Sequence, residues 1–174
     1  MVTRAIIVKA ARSWLGTPYH HQASVKGVGA DCLGLIRGIW RELYGPEPEA
    51  MPAYTRDWGD ASGAESLLDA ARRHLVALAA VNAADEGDVL VFRMREGGVA
   101  KHAGILARAH GSRPGRHPEV RAQRASKDGR APHHDAQKEL RLIHAQEGLG
   151  VVEIALGLWW RRRVAAAFRF PGVR

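Results

Sequence analysis

The hydrophobic period of the chain changes once, near residue 80. Before that point apolar residues recur at helical spacing; after it they fall in short alternating or continuous runs. Over residues 2–15, Ile6, Ala10 and Trp14 (with Ser13) share one side while Arg4, Lys9 and Arg12 lie elsewhere, predicting an amphipathic helix ended by Gly16-Thr17-Pro18. A second helix is predicted over 31–44, where Leu35, Ile36, Ile39, Trp40 and Leu43 keep the period. Asp31 is a good N-cap for it, and Gly45-Pro46 stops it. Gly34 and Gly38 lie four apart on this helix; glycine costs helix propensity, so the pair predicts close approach of another element. A third helix is expected over 64–78, with Leu67, Leu68, Ala71, Leu75 and Leu78 inward. The stretches 19–30 and 47–60 read as irregular connections.

After the change of period, 87–92 and 100–106 read as strands joined by a Gly97-Gly98 turn. Further short strand-like runs follow at 139–145, 150–154 and 164–170. Helices first and strands later predict an α+β domain: N-terminal helices packed on an antiparallel β-sheet. There is no internal repeat.

At 174 residues, nearly half of them hydrophobic, the chain is expected to form one domain over 1–174 with a real core, which excludes a wholly disordered protein. No apolar run approaches the roughly 18 residues that span a bilayer, so no membrane partner is expected. The N-terminus goes straight into a helical pattern with no apolar stretch and cleavage site. The expectation is synthesis in the cytoplasm, with any outward journey made by other means than a leader.

The formal charge of +8 favours acidic partners. Much of that excess is local, however. Arg113, Arg116, Arg121, Arg124, Lys127 and Arg130 fall among Gly, Pro and His in a basic inserted loop at about 108–138. That composition is a solvated loop. Nucleic-acid binding would rest on this charge alone and is not expected.

Cys32 is the only cysteine, so no internal disulfide is available, and its value is either packing or reactivity. As the residue after the N-cap it feels the positive end of the helix dipole, which favours thiolate. Two of the nine histidines, His102 and His144, lie within predicted strands rich in apolar residues. Histidines on neighbouring strands can act as base and orienter for a thiol; alternatively each satisfies a backbone carbonyl in the core. His20, His21, His74, His110, His117, His133 and His134 read as solvated. A zinc site of Cys32, His102 and His144 lacks the close ligand pairs typical of zinc signatures, so neither metal nor cofactor is expected.

Four elements in order then form a pattern: Gly16-Thr17-Pro18-Tyr19, Asp31-Cys32-Leu33-Gly34-Leu35, Gly87-Asp88-Val89-Leu90-Val91-Phe92, and Lys101-His102-Ala103-Gly104-Ile105 followed by Ile143-His144-Ala145. This pattern, spanning 5–155, resembles the NlpC-type cysteine peptidases, which are papain-like and cut bacterial cell-wall peptides. The resemblance implies Cys32 as nucleophile, His102 as general base and then acid, and His144 as orienter, with Tyr19 ordering the site or helping the oxyanion. It also implies a peptidoglycan stem peptide as substrate, commonly cut between D-γ-glutamate and the diamino acid. Leu33 stands where many members have serine, which looks like the phage-tail branch. That branch, with gene transfer agents, would place the chain at a tail tip or baseplate beside hub proteins, acting in the target cell's periplasm or wall. A structural tail component with a vestigial site is the alternative. Trp159-Trp160-Arg161-Arg162-Arg163 reads either as a docking patch or as tryptophans capping the sheet with arginines in water.

Overall fold

A computed structural model describes residues 1–55, 63–109 and 140–173. Helix α1 (Arg4–Arg12) is capped by the Thr3 hydroxyl, which accepts from the Ile6 amide at 3.3 Å. A two-stranded ribbon follows, β1 (Ser24–Val25) and β2 (Gly29–Ala30), within the stretch expected to be all loop. Then come α2 (Cys32–Tyr44) and α3 (Ser66–His74). The expected third helix ends four residues early. Leu75 takes extended backbone, and Val76–Ala77 becomes strand β3, hydrogen-bonded to the sheet instead of prolonging the helix.

The main sheet is completed by β4 (Val89–Arg93), β5 (Ala100–Arg108), β6 (Leu140–Gln146), β7 (Gly150–Ala155) and β8 (Val164–Arg169). Its order is β3-β8-β4-β5-β6-β7, and every neighbouring pair is antiparallel. A short helix that the periodicity does not reveal, α4 (Leu158–Arg161), joins β7 to β8. The architecture is therefore the expected α+β one, helices packed on an antiparallel sheet.

Side chains alternate across the sheet, as strand geometry requires. Val89, Val91, Ala103, Ile105, Ala107 and Ile143 pack under the three long helices with Ile7, Leu35, Ile39 and Leu67. Leu90, Phe92, Leu106 and Leu142 form a second, smaller cluster on the opposite face with Leu156 and Trp160. The glycines of α2 do allow close approach. A Cβ on Gly38 would lie 2.1 Å from the Trp14 indole, and one on Gly34 would lie 1.8 Å from the Ala23 carbonyl oxygen.

Asp88, fully buried, ties distant parts of the chain together. It lies 3.0 Å from Arg4 and 3.1 Å from Arg169, and its carboxylate accepts the Asp85 amide at 2.8 Å. The Gly87-Asp88 motif is thus a structural clamp joining α1, the β4 entry turn and β8.

Candidate active site

The start of α2 is fixed by one buried carboxylate. Asp31 is extended, and its Oδ1 accepts the Gly34 amide at 2.7 Å, so Cys32 becomes the first helical residue. Asp31 Oδ2 accepts the Gln22 amide at 2.7 Å and the Tyr54 hydroxyl at 2.5 Å. His21 Nδ1 lies 3.6 Å from the same oxygen, its Nε2 lies 2.9 Å from the Tyr54 carbonyl, and its ring stands edge-on to Tyr54. His21 is therefore half-buried in a polar collar, not solvated as its sequence context suggests. Gln22 takes a left-handed φ of +64°, the one positive φ outside glycine among the described residues. The hydrogen bond to Asp31 holds that uncommon conformation.

The Cys32 sulfur, half-buried, hydrogen-bonds the Lys101 carbonyl at 3.8 Å and is faced by the Ala103 amide. It thus rests against the β5 backbone on both sides of His102. Burial, and then the Asp31 charge, push the thiol pKa up to about 12, against the pull of the Ala103, Leu33 and Cys32 amides. The helix terminus does favour the anion, as its position suggests, but it loses to desolvation and a neighbouring carboxylate. The resting group is a thiol.

His102 and His144 come from adjacent strands. His102 Nε2 and His144 Nδ1 are 2.9 Å apart, with the rings nearly perpendicular. That bond leaves His102 Nδ1 without a hydrogen-bond partner among the described residues. His144 is 1% exposed. Both rings share the second sheet face with Phe92 and Trp160. Burial, helped by the neighbouring His144, lowers the His102 pKa to about 3; burial alone lowers that of His144 to about 4. The pair is neutral at pH 7.

Tyr19 forms an isolated parallel bridge with Ala30, two residues before the cysteine, and packs on the main core. His74 is half-buried 3.2 Å from Glu49, again not solvated. His20 is exposed, whereas His110, His117, His133 and His134, with most of the basic loop, lie outside the described residues. Arg108, at the loop's start, pairs with Asp85 at 2.7 Å. Among the described residues no group of three or more His, Cys, Asp or Glu side chains is placed to hold a metal ion. Among the described residues no helix is long and apolar enough to cross a membrane.

Sequence reasoning missed Tyr54, His21 and Trp160. Tyr54 sits in the Pro-containing stretch where no period exists, and only a contact far along the chain brings it to Asp31. Trp160 packs on the second sheet face, as the reading of tryptophans capping the sheet expects, but its place against the histidines follows from α4.

No protein-family model matches this chain, and no curated protein sequence matches it. Solved structures do. The NlpC/p60 domain of the peptidoglycan hydrolase SagA is 21% identical, with a TM-score of 0.51 over 97% of this chain and 100% of that one. An NlpC/p60 family protein from Bacillus cereus is 20% identical, with a TM-score of 0.54 over 96% of this chain and 40% of the other. NlpC1 from Trichomonas vaginalis is 16% identical, with a TM-score of 0.51 over 96% and 44% of the two chains. The chain spans the whole SagA domain but less than half of the other two proteins. The fold is the papain-like one of NlpC/p60 domains.

Proposed function

We propose that this chain is a cell-wall cysteine peptidase, a peptidoglycan endopeptidase with Cys32, His102 and His144 as its catalytic triad. One observation carries the reading: the sulfur at the start of α2 lies between the backbone groups flanking His102, while His102 Nε2 is engaged by His144. The solved NlpC/p60 domain of a peptidoglycan hydrolase supports the choice of substrate class.

In this reaction His102 Nδ1 takes the thiol proton as the sulfur attacks the scissile carbonyl carbon. The neutral resting pair makes that proton transfer part of the attack, with no preformed ion pair. The oxyanion is held by the Cys32 amide, with the Tyr19 hydroxyl as second donor. Collapse breaks the C–N bond, and His102 returns its proton to the departing amine, leaving a thioester. Water, deprotonated by His102, then attacks the thioester carbon, releases the carboxylic acid and restores the thiol.

The bond we assign is that between D-γ-glutamate and the diamino acid of the stem peptide. We place the chain at the tail tip or baseplate of a phage or gene-transfer-agent particle, held by hub proteins and acting in the wall or periplasm of the target cell. Leu33 in place of serine supports that branch. A second reading has one observation in its favour: the sulfur bonds a carbonyl, not an imidazole, as an unused site in a structural tail component would allow. Mass spectrometry of muropeptides released from purified sacculi separates the two. Stem-peptide fragments from the wild-type chain and none from Cys32→Ala are expected; equal release by both would end the peptidase reading.

A further inference from the structure

His144 has one ring nitrogen with no conventional partner. Its Nδ1 meets His102, but its Nε2 is buried and lacks a hydrogen-bond partner among the described residues. Leaving a buried N–H unpaired is costly. Besides His102, the aromatic neighbour of His144 among the described residues is the Trp160 indole, with centroids 4.9 Å apart and planes at 71°. An N–H directed at an electron-rich indole face makes a weak hydrogen bond, whereas a nitrogen lone pair directed there gains nothing.

We propose that Trp160 is a positioning residue that selects the tautomer of the histidine pair, its indole face accepting the His144 Nε2–H. With that proton on Nε2, His144 Nδ1 is a lone pair and accepts from His102 Nε2–H. His102 Nδ1 is then also a lone pair, the form that can take a thiol proton. The opposite tautomer of His144 would donate from Nδ1 and move the His102 proton to its own Nδ1. On the proposed mechanism the thiol would then be offered an N–H in place of a lone pair, and the base would be lost. One aromatic ring thus separates a competent pair from an incompetent one.

Trp160 is well held for this task. It stands edge-on to Phe92 at 5.1 Å and to Trp159 at 4.9 Å. Helix α4 is secured by Arg161 Nε donating to the Leu156 carbonyl at 2.8 Å and by the Arg163 guanidinium lying 3.8 Å over the Trp159 ring.

The inference rests on His102 being the base, yet its first test needs no turnover. Long-range ¹H–¹⁵N correlation spectra of the full chain at pH 7 report each imidazole tautomer directly. Both His102 and His144 are expected as Nε2–H; a wild-type His144 protonated on Nδ1 overturns the proposal. Trp160→Leu removes the π face and should shift the His144 tautomer ratio by roughly two- to fivefold, with kcat falling only as far as the competent fraction falls and KM unchanged. Trp160→Phe, which keeps an aromatic face, should restore most of that loss. A soluble Trp160→Leu variant with unchanged tautomers also overturns the proposal. Should that variant not fold, the wild-type spectrum decides. Expected tautomers in a chain that cleaves no sacculi would sink the peptidase reading and leave the tautomer assignment standing.

Discussion

The two ends of the candidate site are built from opposite materials. Around Cys32 the protein places polar groups: a buried carboxylate, a phenol, an imidazole and several backbone amides. Around His102 and His144 it places aromatic rings and almost nothing polar. Both surroundings keep their group neutral, by different means. The thiol is held protonated by burial and an adjacent negative charge, the imidazoles deprotonated by burial in an apolar layer. On the proposed mechanism, reactivity then depends on bringing a neutral acid and a neutral base together when substrate arrives, and on supplying amides where the oxyanion will form.

The largest effect should come from removing the proposed base. His102→Ala is expected to lower kcat on sacculi roughly 10³-fold or more with little change in KM. A loss of only a few-fold would place the base elsewhere. Next comes the charge state of the nucleophile. With a thiol pKa near 12, alkylation by iodoacetamide should quicken about tenfold per pH unit from 7 to 10 without a plateau. A plateau below pH 8 would mean that the thiolate already exists at rest. The neutral histidines also set a pH dependence of stability. Their pKa values lie below the unfolded value of 6.5, so the unfolded chain binds more protons as pH falls from about 6.5 to 3. Stability is full above 6.5 and declines through that window. A denaturation midpoint that rises on acidification from pH 6.5 to 5 would contradict this sign.

Smaller effects belong to the polar collar. Asp31→Ala removes the α2 cap and leaves the Gln22 and Gly34 amides unpaired, and should cost about 1–3 kcal/mol in chemical denaturation. Tyr54→Phe removes one of three hydrogen bonds to that carboxylate and should cost about 1 kcal/mol. An Asp31→Ala variant no less stable than Tyr54→Phe would show that the collar is not organised around the carboxylate.

What could be read along the chain was what local pattern encodes. The helical period located α1 and α2, the Asp31 cap located the thiol at a helix start, and the paired glycines foretold the approach of Trp14 and Ala23. Alternation located the strands that carry His102 and His144, although their mutual hydrogen bond depends on register between strands separated by more than thirty residues. The collar was not legible, because Tyr54 lies in an aperiodic stretch and meets Asp31 only through tertiary contact. The raised thiol pKa was not legible for a similar reason. The helix terminus is a local feature visible in sequence, whereas burial and the orientation of the Asp31 carboxylate are properties of the folded whole. Val76–Ala77 shows the same limit, since its helical apolar spacing yields to an available sheet edge.

The Asp88 clamp has a practical corollary for anyone recloning this domain. A single carboxylate shut away from water draws its counter-charges from Arg4 and Arg169, near the first and last of the described residues. Removing either arginine strips one of two cations from that anion while the other stays, a loss of one charged hydrogen-bond partner that should cost about 1–3 kcal/mol. Deletion variants and fusion junctions therefore have to spare both arginines.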